Sequence, residues 1–304
     1  MLGFLSVEPS SNASAWPVHT QLQRNPGRRR MGGMTTSPRR RIGARLGTVG
    51  VAMILGAGGA GAYTVAQERA AAETSRPHAA AKPVLSHELP FNTKLTAKDI
   101  PQLDGSVRSG ACSGSLIAPQ WVVTAGHCFH SIVGTPDSGP PRYHMAVTLG
   151  KLKDSDPGGE TAQVVDVRQS PVSDLALAKL DHAITDIAPL ALPTAPPTVG
   201  EALQFAGWGS LSSTVVKPSD HLKRGTFTVA EIHDYTLGAA PTVPRTVENS
   251  PCPDDSGGPF FVSADGMTGT LVAIVNNGPA CPQAGLENVA RLDVVADWIR
   301  RQMA

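Results

Sequence analysis

An all-β fold is predicted by three features of the chain. Strand-length apolar segments recur beyond residue 86, Gly and Pro punctuate the intervals between them, and no helical period appears before Leu292. In order, the segments are SLIAPQWVVTA, MAVTLG, AQVVDV, LALAKL, EALQFAGW, GTFTVAEI, PFFVSA and TLVAIVNN. Their β-branched and aromatic residues suit a pleated, half-buried surface. A helical period emerges only over Leu292 to Met303. A body of roughly 220 residues lies within the range of one all-β domain. The Gly/Pro/Asp loop Lys153 to Glu160 could hold a cation, although a solvated turn is the preferred reading.

The formal net charge of +1 conceals two opposed halves. Residues 1–86 carry 11 Lys/Arg against 3 Asp/Glu, a net of +8, whereas residues 87–304 carry 15 against 22, a net of −7. A basic leader before an acidic body suits an exported protein, and the lack of a basic stripe in the body argues against nucleic acid as a ligand. Within 1–66, expected to be an N-terminal extension with a signal peptide, Arg39, Arg40 and Arg41 precede an apolar run from Leu46 to about Ala66. Cleavage is placed after Thr64-Val65-Ala66, and the adjacent arginines also suit twin-arginine export. The start could equally be Met31 or Met34. The run approaches the roughly 20 residues of a membrane span, but its glycines favour a cleaved signal over an anchor. Residues 67–86 read as a pro-segment or linker, and 87–304 as the folded domain.

Three widely separated segments carry the chemistry: TAGHC at His127, SDLALAKLD at Asp174 and PCPDDSGGPF at Ser256. Singly, each has an ordinary explanation as a packed histidine, a turn cap and a glycine turn. Together they supply a nucleophilic hydroxyl, an imidazole to take its proton and a carboxylate to orient that imidazole. With FAGWGSL at Phe205 to Leu211 and the closing NVARLDVVADWIRRQM, they make the chain resemble a chymotrypsin-like (trypsin-like) secreted serine protease from about Ser106 onward. That resemblance implies two six-stranded antiparallel β-barrels and a C-terminal α-helix, with His127 and Asp174 on the first barrel and Ser256 on the second. It also implies an oxyanion hole from the amides of Asp254 and Ser256. The four cysteines alone allow three pairings, and the resemblance selects Cys112 with Cys128 and Cys252 with Cys281.

The resemblance further places Ser250 on the floor of the substrate pocket and Gly278 and Gly285 on its walls. With no acid on that floor, cleavage is expected after large apolar or aromatic residues in preference to Lys or Arg. Asn276 falls where the family often has a serine that hydrogen-bonds the triad carboxylate. Two departures stand out. Position 254 is normally glycine in the family and is Asp254 here. In the family, the aspartate before the nucleophile, here Asp255, is buried against a new N-terminal ammonium. No matching activation site stands upstream of Cys112, the stretches near Val84 and Ile100 being poor candidates, so another donor or cation is expected to compensate Asp255.

The expected function is a secreted, monomeric serine endopeptidase acting on protein or peptide substrates. It needs neither metal nor cofactor and meets a membrane only through its signal segment. The alternative is a catalytically weak homologue acting as a binding or regulatory module. A lipase or esterase is a distant third, because the GxSxG elbow and the Ser, Asp, His order are both missing.

Overall fold

A computed structural model describes residues 88–282 and 284–304, so the expected signal and linker segments lie outside the described residues. Twelve strands close into two antiparallel barrels of six. The first contains β1 (Asn92–Pro101), β2 (Val107–Ala118), β3 (Trp121–Thr124), β4 (His144–Leu149), β5 (Glu160–Gln169) and β6 (Ala176–Leu180), in the closed order β1-β2-β3-β6-β5-β4. The second contains β7 (Ala202–Gly207), β8 (Lys223–Ile232), β9 (Thr236–Pro241), β10 (Pro259–Val262), β11 (Thr270–Asn277) and β12 (Glu287–Arg291), in the closed order β10-β11-β12-β9-β8-β7. Closure leaves no unpaired sheet edge in either barrel.

Period-two patterning explains most of these strands. In β4, Met145, Val147 and Leu149 are buried and alternate with more exposed residues. In β8, the inward positions are Lys223, Phe227 and Val229, so one cation shares the face of the apolar core. Phe205, Phe227 and Phe260 fill the second barrel, the last two meeting edge to face at 5.0 Å between centroids. Strand β2 is different: ahead of its Leu116 and Ile117 the buried residues are small, with Ser113 and Ser115 fully buried. Small side chains there let the second barrel approach. Ser113 N–H donates to the Ser256 carbonyl at 2.9 Å, and Trp208 N–H donates to Ser113 Oγ at 2.8 Å.

The barrels are joined at further points. Phe91 and Phe261 pack edge to face at 5.2 Å, Asn92 donates its side-chain amide to the Ala206 carbonyl, and Leu190 N–H donates to Leu116 O. The chain closes through a short 3₁₀ turn, Asp293–Val295, into α1 (Ala296–Met303). Ile299 anchors that helix, Trp298 packs beside it, and Arg300 pairs with Asp297 one turn back at 2.7 Å. The helix therefore starts later than the Leu292 expected from periodicity. Among the described residues, no helix is long and apolar enough to cross a membrane.

Candidate active site

His127 sits on a one-turn 3₁₀ segment, Gly126–Phe129, that leaves β3. The turn is fixed from three sides. A disulfide joins Cys128 to Cys112 on β2, Tyr143 donates its hydroxyl to the Cys128 carbonyl at 3.0 Å, and Asp174 reaches in from the loop before β6. Asp174 Oδ1 accepts the His127 backbone N–H at 2.7 Å, while Oδ2 lies 2.6 Å from His127 Nδ1. A side chain at Gly126 would collide with Gln169 and Asp174, so this approach requires glycine. Burial opposes ionisation of Asp174. The ring and backbone hydrogen bonds from His127, with its charge, outweigh burial and hold the carboxyl below the usual range. One neighbouring histidine, His130, packs edge to face on His127 at 6.4 Å, and burial lowers its pKa.

Ser256 lies in the loop between Pro251 and β10. Gly257 follows it at φ +83°, and a Cβ there would strike Thr124 Oγ1 and the Ala125 amide of the first barrel. Glycine thus brings the nucleophile loop against the strand that leads to His127. His127 and Ser256 line one cavity of about 190 Å³, together with Arg108 and Asp254. Among the described residues no hydrogen bond joins Ser256 Oγ to His127. In ligand-free sites such bonds are often long and tighten on substrate binding.

The amides around Ser256 divide into two sets. Those of Asp255, Gly257 and Gly258 donate to Cys252 O, Val275 O and Asp255 O. Those of Asp254 and Ser256 have no intramolecular acceptor among the described residues. Two unengaged N–H groups on one loop are donors of the kind that can stabilise an oxyanion. Asp254 adopts φ +72°, and burial, reinforced by the charge of Asp255 and opposed by Arg108, pushes its carboxyl up to about 6.

Asp255 is fully buried, and its compensation comes from within the chain. Lys223 Nζ, equally buried on β8, lies 2.5 Å from Asp255 Oδ2. The Cys252 N–H donates to the same oxygen at 2.9 Å, and the Gly209 N–H to Oδ1 at 2.7 Å. Burial drives the carboxyl up, while the charge of Lys223 and these three donors pull against it. The second disulfide, Cys252–Cys281, ties this loop to the segment after β11.

Beside Ser256 on its other flank lies a cavity of about 320 Å³, walled by Cys252, Val275, Asn276, Gly278, Cys281 and Glu287. Asn276 and Gly278 line this cavity, whereas Ser250 and Gly285 do not. Ser250 is buried and its Oγ accepts a hydrogen bond from Arg245 Nε at 3.0 Å, while Gly285 stands near Pro279 at φ +139°. An acid is present after all: Glu287 lines the cavity and pairs with buried Arg245. Among the described residues Asn276 makes no hydrogen bond to Asp174, both of whose oxygens face His127.

Lys223, Arg245 and Glu287 were missed from sequence. The first and last carried a signal, since each falls on the inward phase of its strand with Phe227 or Val289. Only the folded chain shows Arg245 beside Glu287. In the 153–160 loop, Lys94 pairs with Asp154 at 2.8 Å, and Asp156 Oδ2 accepts the amides of Leu152 and Lys153.

Comparison with known proteins places these features in context. Residues 86–299 match the family model described as Trypsin. The chain is 30% identical over 237 residues to Trypsin 5G1 of Aedes aegypti, covering 70% of this chain and 80% of the relative. It is 28% identical over 211 residues to the thrombin-like enzyme acutin of Deinagkistrodon acutus, covering 64% and 85%. Snake venom serine protease 1 of Craspedocephalus gramineus matches at 35% over 116 residues, covering 36% of this chain and 43% of the relative.

Proposed function

Given that the chain belongs to the trypsin family of serine proteases and is a serine-type endopeptidase, we propose that it cleaves peptide bonds through His127, Asp174 and Ser256 after export from the cell. The observation that carries this reading is the double hold of Asp174 on His127, which leaves Nε2 for the cavity shared with Ser256. Asp174 fixes the tautomer with hydrogen on Nδ1. Nε2 then takes the Ser256 proton as Oγ attacks the substrate carbonyl, and returns it to the leaving amine. Water, activated by the same nitrogen, releases the acyl group from Ser256. The free amides of Asp254 and Ser256 receive the oxyanion in both steps, each such donor being typically worth a hundredfold or more in rate. The cavity beside Ser256 takes the side chain before the scissile bond, and because its acid, Glu287, is already paired with Arg245, large uncharged residues are favoured over Lys and Arg.

One observation supports a weaker enzyme or a binding module: the Asp254 carboxyl, absent where the family has glycine, belongs to the residue whose amide must hold the oxyanion. A fluorophosphonate probe separates the two readings. The exported chain is expected to label, with labelling abolished in Ser256→Ala and lowered by at least about 10⁴-fold in rate in His127→Ala. A folded wild-type chain that resists the probe would overturn the protease reading and favour the binding module instead.

A further inference from the structure

Glu287 is the one ionisable side chain among the described residues that line the cavity beside Ser256. The residue is 1% exposed, and its Oε1 accepts a hydrogen bond from Nη2 of Arg245, whose side chain is 3% exposed. Its other oxygen, Oε2, meets no protein donor among the described residues. A Cβ placed on Gly278 would collide with Oε2, so glycine keeps that oxygen open at the wall. The cavity thus has a neutral polar lining that includes Ser213, Asn276 and Asn277, and Glu287 adds its one carboxylate. The acceptor carries little net charge because Arg245 sits behind it.

Each class of substrate side chain meets this oxygen differently. A carboxylate is repelled by Oε2. An aliphatic or phenyl group strips Oε2 of water and offers nothing in exchange, the situation in which a polar site discriminates most strongly. A cation is drawn to Glu287 but adds a second positive charge beside Arg245. A neutral group ending in N–H or O–H completes the acceptor without disturbing the charge balance.

We propose that Glu287, held by Arg245, determines specificity in this pocket and selects a neutral side chain that ends in a hydrogen-bond donor, the phenol of tyrosine or the amide of glutamine, before the scissile bond. This rests on the serine-protease reading and narrows its preference for large uncharged residues to those that end in a donor. Burial, opposed by Arg245, leaves the Glu287 carboxyl at about 7, so a further donor to it is taken up readily.

The test uses the exported chain at pH 8, where Glu287 is ionised, and peptide substrates that differ only in the residue before the cleaved bond: Tyr, Phe, Gln, Leu, Lys and Glu. Fluorophosphonate titration comes first, and a folded chain that does not label overturns the protease reading together with this one. With labelling established, kcat/KM for Tyr is expected to exceed that for Phe by at least tenfold. Arg245→Met is expected to raise Lys relative to Tyr by tenfold or more, and Glu287→Gln to raise Glu relative to Tyr, because each variant unbalances the pair in the opposite direction. Thermal melts identify any variant that fails to fold, and the wild-type Tyr to Phe ratio decides the matter without either. Equal turnover of Tyr and Phe, a wild-type preference for Lys, or rankings unchanged in both folded variants would overturn the proposal while leaving the protease reading intact.

Discussion

Asp254 is the residue at which local conformation, charge and chemistry oppose one another. Its φ of +72° is a conformation that a Cβ disfavours, and aspartate is among the few L-residues that visit it readily. Its side chain also places a carboxylate on the loop whose amides are proposed to receive negative charge. Because the folded chain holds the Asp254 proton up to about 6, against an ordinary value near 4, the native state binds protons more tightly than the unfolded chain. This contribution to stability is therefore full below about pH 4 and is lost as pH rises through 6. Asp254→Asn keeps the shape and the tolerance for positive φ while removing the charge. The variant is expected to melt higher than the wild type at pH 7.5 and no higher at pH 4. Its kcat/KM at pH 8 is expected to rise by about tenfold, since roughly 1.4 kcal/mol of repulsion leaves the oxyanion. Unchanged kinetics at pH 8 would mean that the carboxylate does not sense the reaction.

At the scale of elements, the nucleophile loop is held by β8. Lys223 has the strand phase of Phe227 and Val229, so the barrel that buries those side chains must bury its ammonium as well, and Asp255 is what makes that tolerable. Removing one member of a buried pair leaves the other uncompensated, typically at about 3–5 kcal/mol. Lys223→Met is expected to lower stability by that order. It is also expected to lower kcat by at least about a hundredfold, because the Asp254 and Ser256 amides lose the anchor between them. Lys223→Arg should recover a substantial part of both. A folded Lys223→Met enzyme with wild-type kcat would show that the loop holds its shape without the pair. Legibility from sequence follows the same physics. Segments such as LALAKL and TLVAIVNN announced β6 and β11 through their own apolar content. Strand β2 beyond its SLIA end, and β1 and β9 altogether, were not recognised. Their small or polar residues, VRSGACS, NTKLTAKDIP and TLGAAP, take strand form from neighbours across the barrel and not from local preference. The resemblance first recognised from about Ser106 therefore begins too late: β1 starts at Asn92, and the family match at 86.

Across the whole molecule, His127 and Asp174 belong to one barrel and Ser256 to the other, so the proposed chemistry needs both. That placement was implied by the family resemblance, which the motifs around the three residues carried. The cavity beside Ser256 was less legible because its composition depends on which inward residues meet at the end of the second barrel. Counting along a segment placed Gly285 at the wall, and the fold places Glu287 there. How the site reaches a competent state is likewise a property of the whole chain. In the family pattern a freed N-terminal ammonium neutralises the aspartate before the nucleophile, yet here Lys223 already occupies Asp255 with the help of two amides. The start of the described chain is engaged elsewhere. Leu89 N–H donates to the Gly266 carbonyl at 2.6 Å, Glu88 pairs with Arg224 at 2.6 Å, and Phe91 is packed on Phe261. A terminus freed by cleavage ahead of residue 88 would therefore find Asp255 already paired. Chains beginning at Gln67 and at His87 are expected to show kcat/KM values within about twofold of each other, each with its N-terminus verified by sequencing. A gain of a hundredfold or more in the shorter form would mean that a new terminus displaces Lys223 from Asp255, and that the internal lysine only holds the loop until processing.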